Sequence, residues 1–209
     1  VFDQAKDKGV KGDAFDQLEQ RLNAPNVVPE NPSQDQLQPL INLYQQGQLQ
    51  QALDSAKQLL LQFSNSPLLY NIQGAANTGL GQFDAAIESY KHALKIKPDH
   101  AEAYNNMGVA LESKGDLEAA IESYKHALKI KSDYVEAYNN MGVALNNKGD
   151  SEAAIESYKK ALKIKPDYAE AYYNVGNALN DKGDSGAAIE SYKQALKIKP
   201  DYAEAYNNM

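Results

Sequence analysis

The chain has 209 residues, 43% of them hydrophobic and 23% charged, a composition that sustains a packed core and excludes a disordered polymer. A net charge of −7 argues against a protein that grips a phosphate backbone, and the absence of cysteine removes disulfides, zinc–thiolate sites and thiol nucleophiles. No apolar run approaches the ~20 residues of a membrane span, so neither nucleic acid nor membrane is an expected partner, and a cytoplasmic location is expected.

Residues 1–32 stand apart from the rest. In GDAFDQLEQRL, Phe15, Leu18 and Leu22 fall at helical spacing and predict a short amphipathic helix. APNVVPENP at Ala24–Pro32 is a proline-rich linker that favours extended backbone. Two readings stay open for this segment: a cap over the first repeat, or a piece of something upstream.

Beyond it the chain repeats. AEAYNNMG at Ala101–Gly108 returns as VEAYNNMG at Val135–Gly142, AEAYYNVG at Ala169–Gly176 and AEAYNNM at Ala203–Met209. The period is 34 residues, giving windows 67–100, 101–134, 135–168 and 169–202, a divergent window at 33–66 and the start of another at 203–209. Within a window the Gly-Asp pair marks a turn, and Asp116 is the expected N-cap of a second helix. Pro98, Pro166 and Pro200 stop that helix, while Ser132 leaves its end less sharply fixed. Each window therefore reads as helix–turn–helix.

At about 100° per residue, Tyr104, Met107, Gly108 and Leu111 form one expected core stripe, and Ala120, Ile121, Tyr124, Ala127 and Leu128 the matching one. Glycine inside a helix costs about 1 kcal/mol relative to alanine. Its return as Gly74, Gly108, Gly142 and Gly176 calls for a packing reason. The expected reason is close approach of two helix backbones opposite Ala120 and Ala127, with Tyr104 and Tyr124 filling the wider gaps. One hairpin cannot bury its faces alone, so the expected fold is an all-α solenoid of stacked hairpins.

On these positions the chain resembles the tetratricopeptide repeat (TPR) family: Tyr104 for the early aromatic, Met107-Gly108 for Leu-Gly, then Leu111, Ala120, Tyr124, Ala127 and the closing proline. The 33–66 window keeps Leu43, Gly47 and Ala52 but has Gln36 for the aromatic and Leu40 for the glycine, as a capping-like repeat would. The resemblance implies a right-handed superhelix whose first helices line a concave groove. It implies a scaffold that binds a protein or an extended peptide, with no catalytic residues and no cofactor. Bacterial proteins of this type often resemble a repeat array fused to a sulfotransferase or glycosyltransferase domain, so the recognition arm of a larger transferase is an alternative, and self-assembly a third.

With Tyr104 as the origin, Glu102, Asn106, Val109 and Ser113 fall about 140–200° away, opposite the expected core. The equivalent sets are Glu136, Asn140, Val143 and Asn147, then Glu170, Asn174, Asn177 and Asp181, with Glu204 and Asn208 in the last segment. Asparagine is a poor helix-interior residue, so its recurrence at Asn106, Asn140, Asn174 and Asn208 is either a copied surface residue or a use. The use would be pairing of its amide with an extended peptide backbone about every third residue. This resembles the asparagine ladder in the repeat domain of the O-linked N-acetylglucosamine transferases, although Ile72 interrupts it. Such asparagines are expected to serve binding and contribute little to folding; Asn105 and Asn139, at the groove edge, are weaker candidates, and Tyr173 replaces them in the next repeat.

No cation stands at the groove positions, so the family mode that clamps C-terminal carboxylates is absent, and the expected partner is neutral to mildly basic. Lys125, Lys129 and Lys131 belong to an expected outer face, with Glu122–Lys125 and Glu156–Lys160 pairs at ~0.2–0.5 kcal/mol each. His92 and His126 are expected to be solvated, and no metal site is expected. The helix carrying Ala188, Ile189, Tyr192 and Leu196 has only Ala203–Met209 after it, so weak self-association through this C-terminal end is expected. Light scattering across a concentration series checks this, and a strict monomer refutes it.

Overall fold

The computed structural model describes residues 31–209; the helix expected around Phe15, Leu18 and Leu22 and nearly all of the linker after it lie outside them. The described residues form eleven helices and no strand: α1 (Gln34–Gln45), α2 (Leu49–Gln62), α3 (Pro67–Gly79), α4 (Phe83–Ile96), α5 (Ala101–Lys114), α6 (Leu117–Ile130), α7 (Val135–Asn147), α8 (Ser151–Ile164), α9 (Ala169–Asp181), α10 (Ser185–Ile198) and α11 (Ala203–Asn207). Each packs on the next. First helices of successive repeats also meet, α3 with α5, α5 with α7 and α7 with α9, and no comparable contact joins successive second helices. The first helices therefore form the inner side of the stack.

The helix boundaries have local causes. Asp116, Asp150 and Asp184 each accept a hydrogen bond from the backbone N–H three residues on, at 3.1–3.2 Å, which caps α6, α8 and α10. The glycine before each cap, Gly115, Gly149 or Gly183, has φ between +83° and +92°, a left-handed turn that a side chain would strain. In the divergent window Gln36 closes a capping box: Ser33 N donates to Gln36 Oε1 (3.0 Å) and Gln36 N to Ser33 Oγ (3.4 Å). The helix before Ser132 ends at Ile130, in the same register as the proline-stopped ones, and Lys131 adopts the extended backbone of Lys97 and Lys165. That end is therefore set in the same place without proline, with Lys131 N bonded to Ala127 O at 2.8 Å as in the other repeats.

The second-helix stripe is where it was expected: Ala120, Ile121, Tyr124 and Ala127 are buried and Leu128 half-buried. The first-helix stripe is not. In α5 the buried residues are Ala103, Asn105, Gly108 and Ala110, whereas Tyr104, Met107 and Leu111 are only half-buried. The reason is that a first helix lies between two second helices. Ala110, Met107 and Leu111 pack against Ala86, Ile87 and Tyr90 of the preceding repeat, while Gly108 faces Tyr124 of its own. A single-stripe reading misses the second buried face.

The glycines also pack differently from the expectation. A Cβ on Gly108 would lie 2.5 Å from Tyr124 Cε1, and Gly74, Gly142 and Gly176 face Tyr90, Tyr158 and Tyr192 in the same way. The close approach is ring against backbone, not backbone against backbone. Tyr104 fills no core gap; it stacks on His126 at 5.1 Å and 18°, as Tyr70 stacks on His92 at 5.2 Å and 17°. Both histidines remain exposed, on an outer surface that carries aromatic stacks as well as solvent. Glu122 and Lys125 pair at 2.7 Å, but Lys160 sits 5.9 Å over the Tyr138 ring and makes no ion pair with Glu156. Such exposed contacts add little to stability.

At the C-terminal end α11 covers part of the last face: Tyr192, Ala195 and Ala205 are buried together. Ile189 is half-buried where the equivalent Ile121 and Ile155 are buried, and Tyr206 and Met209 are exposed.

Because the Tyr158 ring occupies the space beside Gly142, Gly142→Leu is expected to overpack the hairpin and cost roughly 1–3 kcal/mol despite the better helix propensity of leucine. Urea unfolding measures this, and a variant as stable as the parent would contradict the tyrosine–glycine contact.

Candidate binding groove

The inner wall is built by the first helices, and its asparagines connect one repeat to the next. Asn106 Nδ2 donates to Asn71 Oδ1 (3.3 Å), Asn140 Nδ2 to Asn105 Oδ1 (3.1 Å) and Asn174 Nδ2 to Asn139 Oδ1 (3.0 Å). The acceptors are the buried members of each pair, 9%, 6% and 1% exposed, and the donors are half-buried. Where Tyr173 replaces the acceptor, Asn208 donates to Tyr173 Oη and Asn177 Oδ1, both at 3.1 Å. One N–H of each of the three ladder amides Asn106, Asn140 and Asn174 is therefore engaged within the protein, as are both Nδ2 bonds of Asn208. The carbonyl oxygens of Asn140 and Asn174 take no part in these bonds, whereas Asn106 Oδ1 accepts from Asn105 Nδ2 at 3.4 Å. Asn105 and Asn139, read from sequence as groove-edge residues, are buried links between repeats.

The other stripe residues share this wall. Glu102 and Glu136 are exposed, and Val109 and Val143 are half-buried beside one cleft. Glu170 accepts from Asn139 Nδ2 (3.1 Å) and Tyr168 Oη (3.4 Å), and Asp181 from Asn146 Nδ2 (2.7 Å). Asn177 accepts from Tyr192 Oη (2.9 Å), and Asn147 donates to Glu112 (3.2 Å). Three clefts open along the wall: one of about 240 Å³, lined by Tyr44, Thr78, Tyr90 and Val109 among others, lies between two larger ones. The first, about 340 Å³, lies among α1, α3 and α5 and is lined chiefly by Ile41, Tyr44, Ile72 and Ala75. The second, about 430 Å³, lies among α5, α7 and α9 and contains Glu112, Glu170, Ser113 and Asn140.

Glu112 was not singled out by sequence. It stands only about 80° from Tyr104, at the edge of the expected core arc and outside the opposite face. Burial pushes its carboxyl pKa up, while hydrogen bonds from Tyr124 (3.0 Å) and Asn147 pull it down. Further along the wall, Tyr168 is pushed up to about 12, first by burial and then by the charges of Glu170 and Glu136. Burial, then Glu102 and Glu136, raise Tyr134 likewise. The wall is thus acidic from α5 to α9 and neutral around the first cleft, and no lysine or arginine lines either cleft. Among the described residues no three or more His, Asp or Glu stand close enough to hold a metal, and no helix is long and apolar enough to cross a membrane.

Hairpins stacked with their first helices inward define a helical-repeat solenoid of the protein-interaction scaffold class. The family model for the TPR repeat matches residues 74–115, 113–149, 144–183 and 176–209, and the chain belongs to the tetratricopeptide repeat family. Among solved structures it is similar to MamA, with 28% identity and a TM-score of 0.69 over 78% of this chain and 95% of that one. It is similar in fold to YrrB, described as a TPR protein with an unusual peptide-binding site, with 20% identity and a TM-score of 0.66 over 91% and 95%. TTC0263, a thermophilic TPR protein of Thermus thermophilus, shares the fold at 22% identity and a TM-score of 0.69 over 83% and 95%. No curated protein matches the sequence.

The ladder geometry argues against the expectation from sequence that these asparagines contribute little to folding. Replacing Asn106, Asn140 and Asn174 by alanine improves helix propensity but leaves the Oδ1 atoms of Asn71, Asn105 and Asn139 buried without these donors. The expected result is a loss of about 1 kcal/mol per site, read as a lower urea midpoint in the triple variant. An unchanged midpoint would show that the ladder contributes nothing to repeat stacking.

Proposed function

We propose that this chain is a binding scaffold, without chemistry or a cofactor of its own, whose inner wall holds an extended, neutral to mildly basic segment of a partner protein. The observation that carries this reading is the combination on one wall of exposed carboxylates (Glu102, Glu136, Glu170), half-buried asparagines at one-repeat spacing and clefts without a cation. A wall of that sign repels an acidic tail and attracts a basic one. First helices packed about 8–10 Å apart meet an extended chain, which advances about 3.3 Å per residue, roughly once in three residues. With one N–H engaged in the ladder, Asn140 and Asn174 would serve a peptide through the carbonyl oxygen, for its N–H groups, and the second amide N–H, with Val109, Val143, Asn147, Asn177, Asp181 and Asn208 completing the wall. YrrB, of similar fold, is described as having a peptide-binding site.

The cysteine-free sequence allows a direct test. Ser113 is exposed in the second cleft, and Lys125 is exposed on a second helix. Peptides selected from a random 12-residue display library should bind Ser113→Cys as they bind the parent. They should lose about tenfold or more in affinity once that thiol carries a bulky maleimide. The same adduct on Lys125→Cys should have no effect. Equal affinity with and without the Ser113→Cys adduct would refute groove binding.

A further inference from the structure

The outer face carries a cleft of about 360 Å³ between α2, α3 and α4, on the side away from the groove. Its lining includes Lys57 of α2, Tyr70, Gln73 and Asn77 of α3, and Ser89 and His92 of α4. The cleft recurs three repeats on, at about 270 Å³, with Lys159, Tyr172, Ser191 and Gln194 in the places of Lys57, Tyr70, Ser89 and His92. There Val175 stands where the earlier cleft has Gln73. At the position of Asn77 the other windows carry Leu43, Leu111, Leu145 and Leu179. The 67–100 window thus has two amides where the later repeats are apolar.

Asn77 is 3% exposed, so its amide is a buried polar group that needs partners. Among the described residues it has one, and a poor one: Nδ2 approaches Ser89 Oγ at 3.5 Å, the outer limit of a hydrogen bond. Ser89 Oγ gives its own proton to Ala85 O at 2.8 Å and can only accept from Asn77, which leaves Oδ1 as the other end of the amide. Ser89 does not require that amide. Ser123 and Ser191 make the same bond to Ala119 O and Ala187 O, at 2.8 and 2.9 Å, in windows that carry leucine instead. No described residue donates to Asn77 Oδ1. Among the described residues no fully enclosed side-chain polar atom lacks a partner, so this oxygen is reached from outside, through the cleft that Asn77 lines.

The rim adds a charge. Lys91, Lys125 and Lys193, at the position of Lys57 in later windows, each pair with the glutamate one turn before, at 2.7–2.8 Å. Lys57 makes no ion pair among the described residues, and the acid one turn before it, Asp54, accepts from Gln50 Nε2 at 3.1 Å. Glu88, the carboxylate in the cleft lining, is the one held by Lys91. The stacked rings of Tyr70 and His92 form a flat side to the cleft.

We infer that this outer cleft is a second binding site, independent of the groove, for a small acid that carries a primary carboxamide. A carboxamide presents a donor and an acceptor together, the complement of the open Asn77 amide, and a carboxylate answers the Lys57 ammonium. An apolar ligand would leave the Asn77 oxygen without a donor. Two sources supply this chemistry: a free acid amide, or the C-terminal asparagine or glutamine of a partner protein.

The probe is N-acetylglutamine, titrated to about 20 mM into the isotope-labelled full chain and followed by NMR on backbone and side-chain amides; a ligand of this size in an open cleft is expected at a Kd of about 1 mM. Shifts should centre on Asn77. N-acetylglutamate, with a second carboxylate in place of the amide, should bind about tenfold more weakly, because it brings no donor to Asn77 Oδ1. Asn77→Leu installs the residue of the next three windows, so its urea midpoint should not fall, while affinity for N-acetylglutamine drops about tenfold or more. Lys57→Gln, at an exposed residue, supplies the same comparison should that variant lose helicity. An acetylated tetra-alanine peptide ending in glutamine separates the sources. Binding at least as tight as that of N-acetylglutamine supports the site as one for a protein C-terminus, and weaker binding supports a free acid amide. No shift with either ligand, undiminished binding to the variants, or N-acetylglutamate binding as well as N-acetylglutamine overturns the site, and each leaves the groove function standing.

Discussion

The tyrosine ring seated on a helical glycine is the contact on which each repeat depends. Tyr90, Tyr124, Tyr158 and Tyr192 are almost fully buried, and each occupies the volume that a Cβ on Gly74, Gly108, Gly142 or Gly176 would take. Glycine costs helix propensity at those positions, and the ring offsets it through apolar burial and close packing. The contact also has a functional side. By passing over a residue without a side chain, the ring carries its hydroxyl from the second helix to the inner wall, where Tyr124 meets Glu112 and Tyr90 meets Thr78. Core packing and groove chemistry therefore share one residue.

Stacking adds the second constraint. A first helix is held between two second helices, so it has little surface left, and what remains is the inner wall. Asparagine suits the boundary between buried and wet. Asn71, Asn105 and Asn139 are buried at the junction of repeats, and their carbonyls are satisfied by the half-buried asparagine of the following repeat. A buried amide without such a partner would be costly. The ladder is thus first an inter-repeat bond and only then a surface for a partner, which narrows what its amides can offer to one N–H and the carbonyl oxygen.

Charge is distributed with the same polarity. Lysines pair with acids at the exposed helix ends and on the second helices, at Lys114–Asp84, Lys182–Glu152 and Lys125–Glu122. The inner wall keeps Glu102, Glu112, Glu136 and Glu170, and none of these forms an ion pair among the described residues. Of these only Glu112 is half-buried, and its hydrogen-bond donors, Tyr124 and Asn147, are neutral. The net charge of −7 acts in the same direction at longer range.

The 34-residue period, the Gly-Asp turns with Asp116 as cap and the second-helix stripe from Ala120 to Ala127 were legible in the sequence because they depend on neighbours a few residues away. Helical periodicity also brought Asn106, Asn140 and Asn174 to one face, correctly separated from the second-helix core. Periodicity treats a helix as having one buried face, and here it failed wherever the first helix has two. It left Asn105 and Asn139 at the groove edge, set Tyr104 in the core and passed over Glu112. Those placements depend on residues 31 and 35 positions distant, Glu170 for Asn139 and Asn140 for Asn105, brought together only when one hairpin stacks on the next. The repeat unit was thus determined locally by the sequence. Which asparagine is buried, which tyrosine hydroxyl finds a partner and which acids are left without a cation were decided by stacking, since each is a property of the space between repeats.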